Sequence, residues 1–192
     1  MDFSAIKQNL ENHGFIVSCF QSAIDATKYL DGVIDGKTIG IGGSKTVEQM
    51  GLLQALETHN RVLYRFGTYK SPEEVMKEAL TSDVFITSAN GVAETGEIVN
   101  IDGNCNRIAA EFYGHEECIL SLARTRFNRP SSRRCGERET SLRQKTQRGL
   151  AKTPRALSTA TGATIVRAPN VFVGGLQLCG ANRPIPQNTK WC

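Results

Sequence analysis

Apolar positions along the first two thirds of the chain alternate between helical and strand spacing. Phe3, Ile6 and Leu10 mark one face of a helix ending near His13-Gly14, and Phe15 to Phe20 reads as a strand. Ser22, with Asp25 three residues on, opens a helix carrying Ile24 and Leu30, after which Gly36 releases a strand over Thr38 to Ile41. Beyond Gly42-Gly43-Ser44, Thr46-Val47-Glu48-Gln49 has capping-box spacing and predicts a third helix to about His59. Arg61 to Phe66 is the next strand. Ser71-Pro72-Glu73-Glu74 then opens a fourth helix, through a capping residue, a proline at the first helical position and acids in the first turn, with Met76, Ala79 and Leu80 inward.

The most informative stretch is 85–107. A strand from Val84 to Thr87 stops at the polar bend Ser88-Ala89-Asn90-Gly91, and a second apolar run, Ile98 to Ile101, follows a Thr95-Gly96 turn. That run breaks at Asp102-Gly103-Asn104, where a helical pattern of Ile108, Ala109 and Phe112 begins. Strands alternating with helices predict an α/β fold with a mostly parallel sheet covered on both faces. The polar residues fall at strand ends, where open α/β sheets hold ligands.

Charge changes the picture. From Met1 to Ala123 there are 9 Lys/Arg against 17 Asp/Glu, and from Arg124 onward 14 against 2. The later part is rich in Arg, Ser and Thr and has no sustained period until about Thr164, so a division into 1–122, an α/β domain, and 123–192, a basic tail, is expected. The 40% of apolar residues is ordinary for a soluble chain of 192 residues, and no apolar run has spanning length. The start Met-Asp-Phe-Ser has no signal-peptide pattern, so the cytoplasm is the default expectation, and no membrane partner is expected. Six cysteines without a Cys-x-x-Cys pair propose neither a zinc site nor a disulfide framework, so free thiols are expected.

Candidate chemistry follows from residue type. Gly40, Gly42, Gly43 and Ser44 before a helix form a strand, glycine loop and helix that favours an anion, without the dinucleotide or P-loop spacing. Ser88, Asn90, Glu94, Asn100, Asp102, Asn104 and Arg107 gather around the central bend, where Asn and Asp also serve turns. Glu94 and Asp102 are the candidate acid and base, with nothing in the spacing to bring them together. His13, His59 and His115 are expected in solvated loops, and Cys105 is the thiol nearest the bend.

Three separated motifs, Ile-Gly-Gly-Ser before a helix ending in Gly-Leu-Leu, Phe-Ile-Thr-Ser-Ala-Asn, and Gly-Glu-Ile-Val-Asn-Ile-Asp-Gly-Asn-x-Asn-Arg-Ile-Ala, resemble the lactate-utilisation (LUD) domain family over about Phe3 to Glu117. The resemblance implies a three-layer α/β/α fold of the ribose-5-phosphate isomerase and CoA-transferase type. It places Gly42, Gly43, Ser44, Ser88, Asn90, Asn100, Asp102, Gly103, Asn106 and Arg107 on motif positions, as ligand-binding residues. It also implies a part in oxidation of lactate or a similar hydroxy acid with iron–sulfur redox partners. The related sugar-phosphate isomerases carry an acid where Asn90 stands, which removes a candidate base.

The family's later segments are missing from 120–192 as written. A constant shift of reading frame restores three of them in order. It permits Gly-x-Asn-Lys-Ile through Ala123 to Arg129, Asn-Thr-Pro-Cys through Lys152 to Ala156, and a cysteine-rich Cys-Tyr-Asp-Cys-x-Ser-Pro-Glu-Arg-Ile-Cys-Arg within Thr161 to Gly175. The expectation is a frameshifted part from about Cys118, with Cys118 to Leu122 still apolar enough to pair at a sheet edge, the Arg-rich stretch to about Ala160 irregular or disordered, and without the iron–sulfur or other metal site that the resemblance implies for the intact part. No cofactor is expected in this chain, and a function needing that site would be impaired. Val166 to Leu178 is apolar enough to adhere to the core or to promote aggregation. Two other classes are an accessory or scaffold domain binding a small anion, and non-specific nucleic-acid binding by the tail through Arg124, Arg126, Arg129, Arg133, Arg134, Arg138, Arg143, Lys145 and Arg148. Whether the domain is an enzyme stays open at this point.

Overall fold

The computed structural model describes residues 3–65, 71–102, 105–127, 163–169 and 176–180. The chain runs α1 (Phe3–Asn12), β1 (Ile16–Phe20), α2 (Ala23–Val33), β2 (Thr38–Ile41), α3 (Lys45–Gln49), α4 (Leu52–Leu56), β3 (Arg61–Tyr64) and α5 (Pro72–Ala79). There follow β4 (Val84–Thr87), β5 (Gly91–Val92), β6 (Ile98–Asp102), α6 (Asn106–Phe112), β7 (Glu117–Ala123), β8 (Ala163–Pro169) and β9 (Leu176–Gly180). The six-stranded sheet has the order β1-β8-β7-β4-β2-β3, and β5-β6-β9 form a smaller one. In the larger sheet β3, β2, β4 and β7 are parallel, while β8 pairs antiparallel with both β7 and β1. The fold class is the expected mostly parallel α/β sheet with helices on both faces.

The two faces follow from strand alternation. Ile39 and Ile41 of β2, Val84 and Ile86 of β4 and Ile119 of β7 pack against Ala26, Leu30, Leu52 and Leu56 of α2 and α4. On the other face Phe85 and Cys118 meet Ala110 of α6, Leu63 meets Val75 and Ala79 of α5, and Leu120 and Leu122 meet Ile6 and Leu10 of α1. Gly40 lets that face close, because a Cβ there would stand 2.8 Å from Ala79 O and 3.0 Å from the Phe85 ring. From β2 the chain leaves toward β3, and from β3 it crosses back past β2 to β4. The carboxyl ends of β2 and β4 therefore border the place where strand order reverses, the position at which such sheets hold ligands.

Local chemistry set several elements as expected. Ser22 Oγ accepts from Asp25 N at 3.1 Å, and Ser71 with Glu74 forms a full capping box on α5. Three details differ. The expected third helix is two short ones, broken where Gly51 takes φ +69 in the left-handed region, and its cap is Ser44, accepting from Val47 N, rather than Thr46. In α5 the fully buried positions are Val75 and Ala79, with Met76 and Leu80 partly buried. In α6, which starts two residues before the apolar pattern, the helix buries Ile108 and Ala110 and leaves Ala109 and Phe112 exposed.

The strand 163–169 falls beyond 122, yet it lies inside the sheet between β1 and β7. Ile165 and Val166 are fully buried, and Arg167 is paired with Glu117, its Nη2 donating at 2.8 Å, with Tyr29 Oη also within reach. Of the apolar run Val166 to Leu178, Val166 is buried in the core, and residues 170–175 lie outside the described residues. The remainder of the basic segment, 128–162, 170–175 and 181–192, lies outside the described residues, as do the expectations placed on it.

Candidate functional site

Three loops meet at the carboxyl ends of β2, β4 and β6. The first is Gly42-Gly43-Ser44. Gly42 is required by packing, since a Cβ there would stand 2.7 Å from Thr87 Oγ1 and 3.2 Å from the Phe85 ring, and its amide donates to Ile86 O at 2.9 Å. This fastens the loop against β4. Over Gly43 the space is open as far as Arg65, whose Cζ would lie 3.8 Å from a Cβ. Arg65 directly follows β3 and brings a cation to the glycine loop. The helix after the loop has five residues, so its dipole adds little, and the charge there belongs to Arg65.

The second loop is the bend Ser88-Ala89-Asn90. The guanidinium of Arg107 crosses to it from α6, Nη1 donating to Ser88 O and Nη2 to Asn90 Oδ1, both at 3.1 Å. Asp102 closes the third loop. Its Oδ2 accepts from the amides of Arg107 at 2.8 Å and Ile108 at 3.3 Å, a side-chain cap on α6 that fixes where Arg107 starts. Cys105 precedes the helix at φ 59, in the left-handed region, with its side chain exposed.

Behind Arg107 lies a buried acid. Glu111, one turn further along α6, is mostly buried, and the side-chain amide of Asn100 donates to both its oxygens, at 2.7 and 2.6 Å. Burial above all pushes the Glu111 carboxyl up from 4.5 to about 7; the charge of Arg107 and the Asn100 hydrogen bond pull it down, and Asp102 adds a small rise. Among the described residues two fully buried polar atoms at these strand ends, Asn100 Oδ1 and Thr87 Oγ1, have no hydrogen-bond partner. Such atoms are seldom left so, and a ligand or water is their usual answer.

The structure thus brings together Gly42, Gly43, Ser44, Ser88, Asn90, Asn100, Asp102 and Arg107. Asn106 opens α6 beside them, and Gly103 and Asn104 lie outside the described residues. Glu94 is elsewhere. It is exposed in the β5–β6 turn, where its backbone oxygen accepts from Asn9 of α1, at the opposite end of β6 from Asp102 and separated from it by about 13 Å of strand. Asp102 is engaged as a helix cap, and the acid with a perturbed carboxyl is Glu111. Sequence reasoning missed Glu111 and Arg65. The spacing of Glu111, three residues from buried Ile108 and four from Arg107, was the signal available for it.

The histidines correct another expectation. His115 is buried, not solvated: its ring stacks on Phe85 with centroids 5.1 Å apart, Nδ1 donates to Ser82 O at 2.7 Å, and burial pushes its pKa below the usual value. His59 is half-buried, its Nε2 donating to Ile34 O at 3.0 Å beyond the end of α2. Both hold chain ends together. Cys118 is buried on β7 and its thiol is pushed up, while Cys19 and Cys105 are exposed and free. Among the described residues no group of three or more His, Cys, Asp or Glu could hold a metal ion. Of the basic positions weighed for nucleic acid, Arg124 lies over the Phe3 ring at 4.8 Å, and Arg126 is partly buried.

Among the described residues no helix is long and apolar enough to cross a membrane. No curated protein and no solved structure matches the chain. The model of the LUD domain matches residues 4–164, which takes in all three loops, Arg107, Glu111 and the first residues of β8. Most of the sequence, including every part of the strand-end site, lies within that match, and the chain belongs to the LUD domain family.

Proposed function

We propose that the domain binds a small hydroxy acid such as lactate by its carboxylate at the ends of β2, β4 and β6, and serves its oxidation together with iron–sulfur redox proteins. The observation that carries this reading is Arg107 tying α6 to the Ser88–Asn90 bend directly beside Glu111, with Arg65 over Gly43 on the other side. A 2-hydroxy acid needs a cation for its carboxylate and a hydrogen-bonding group for its hydroxyl, and Arg107 and Glu111 of α6 are one group of each kind. An iron–sulfur centre on a partner would take the electrons. The part of this chain is to bind, orient and shield the acid. Calorimetric titration of the full chain with lactate, and with propionate as the analogue lacking the hydroxyl, tests the reading. Saturable lactate binding that exceeds propionate binding supports it, and equal or absent binding of the two removes it.

The same observations serve the accessory reading, in which the domain presents the anion to a partner without turning it over. Turnover of lactate by the isolated chain with an artificial electron acceptor counts against that reading, and co-purification with iron–sulfur proteins favours it.

We propose also that the chain from about Cys118 is translated in a shifted frame. The charge break supports this, and so does Arg126, partly buried with an Nε that has no partner among the described residues and a pKa lowered by burial and by Arg107. A buried guanidinium Nε without a partner, beside a second guanidinium, is costly. That β7 and β8 still pair is no obstacle, since a sheet slot accepts most apolar strands of the right length. Sequencing the coding DNA across codons 112–192, with the intact mass of the native protein, decides the matter.

A further inference from the structure

Glu111 stands apart from the acids that sequence reading singled out, and its surroundings couple it to whatever occupies Arg107. The groups facing it are few: Asn100 of β6 donates to both its oxygens, Arg107 of its own helix supplies positive charge, Asp102 of β6 supplies negative charge, and Cys118 of β7 packs as a buried neutral thiol. Among the described residues Arg107 is the cation that acts on the acid. Its guanidinium donates to Ser88 O and Asn90 Oδ1, which holds it against the bend beside the acid.

We infer that the strand-end site takes up a proton together with its anion, and that Glu111 is the group that receives it. The inference rests on the anion-binding reading above and extends it. An anion set against Arg107 offsets the charge that favours ionised Glu111, and it adds a negative charge of its own. Burial and Asp102 are then opposed only by the Asn100 hydrogen bond, and the carboxylate binds a proton from solvent. No bond in the ligand forms or breaks in this step. The product is a neutral acid whose O–H can donate, so an acceptor-only group becomes a donor beside the ligand's oxygens. A small monocarboxylate with a neighbouring hydroxyl or carbonyl oxygen is the ligand class this arrangement suits, since one oxygen pair meets the cation and another faces the acid.

The test is calorimetric titration of the full chain with lactate, and separately with acetate and inorganic phosphate, in buffers of different ionisation enthalpy from pH 5.5 to 8.5. The difference between buffers reports protons taken up per anion bound. Uptake of about 0.3 to 0.5 proton at pH 7 is expected, vanishing near pH 5.5, where Glu111 already carries its proton. In Glu111→Gln the uptake is lost at every pH. A ¹³C NMR titration of the Glu111 carboxyl in the unaltered protein gives the same answer without a variant, its midpoint moving up when anion is added. Binding of lactate with no proton uptake, or a Glu111 midpoint that does not move, overturns the inference. If lactate fails to bind while acetate or phosphate binds with Glu111-dependent uptake, the hydroxy-acid reading falls and the proton coupling stands. If no anion binds, both are overturned.

Discussion

The side-chain amide of Asn100 donates to both carboxylate oxygens of Glu111, at 2.7 and 2.6 Å, joining the middle of β6 to the last turn of α6. The pair is the polar centre of a region otherwise sealed by Phe85, Ala110 and Cys118. It makes the stability of the domain depend on pH in a stated direction.

Glu111 holds its proton more tightly folded than unfolded, because its carboxyl is raised from 4.5 to about 7. Its contribution therefore favours folding below about pH 4.5 and is lost as pH rises through 7. Allowing for the side chain's partial contact with water, the loss is about 2 kcal/mol. Urea denaturation of Glu111→Gln should match the unaltered protein near pH 4.5 and exceed it by about that amount at pH 8. A variant less stable than the parent at pH 8 would show that the ionised form is better satisfied than this geometry allows.

Asn100→Ala removes the amide that answers the carboxylate. At pH 8, where Glu111 is largely ionised, the loss should be about 2 to 3 kcal/mol, and near pH 5 closer to 1. Combining it with Glu111→Gln should remove that difference between the two pH values, which a double-mutant cycle reads directly.

Adjacent glycines should behave differently. Gly42→Ala forces a methyl to within 2.7 Å of Thr87 Oγ1 in a fully buried part of β4, at a cost of about 1 to 3 kcal/mol. Gly43→Ala meets only the Arg65 guanidinium at 3.8 Å and should change stability by less than about 0.5 kcal/mol. A bulky Gly43→Phe should keep the fold and weaken lactate binding about tenfold, a step of about 1.4 kcal/mol. Unchanged affinity with retained folding removes the glycine loop from the site.

How much of this was readable in the sequence depends on where the information lies. Caps and periods are local, so Ser22, Ser71 and the strands at 38–41 and 84–87 were legible from neighbours in the chain. The break at Gly51 was not, because the Thr46 to Gln49 spacing matched a capping box as well as Ser44 does. The strand-end residues were legible as turn-formers at the ends of apolar runs. Their partners were not: Arg65 reaches Gly43, and Asn100 reaches Glu111, through tertiary packing that no spacing records. His115 was taken for a loop residue because it stands beside Gly114, whereas the Phe85 ring that covers it is distant in sequence.

The placement of β8 gives a further prediction. Without it, β1 has no partner in the sheet, and Val17, Leu120 and Leu122 lose their cover. A chain ended after Gly162 should lose cooperative thermal unfolding and aggregate, while one ended after Gly180 keeps both sheets. Retained cooperative unfolding of the shorter chain would mean that the part before β7 and β8 join is self-sufficient.

Backbone amide NMR of the full chain titrated with lactate tests whether a small carboxylate binds where β2, β4 and β6 end. Saturable shifts confined to Gly42 to Ser44, Ser88 to Asn90, Asn100 to Asp102 and Arg107 to Glu111, abolished in Arg107→Gln, are the predicted result. Shifts that cluster away from these strand ends, or none at millimolar lactate, would contradict it.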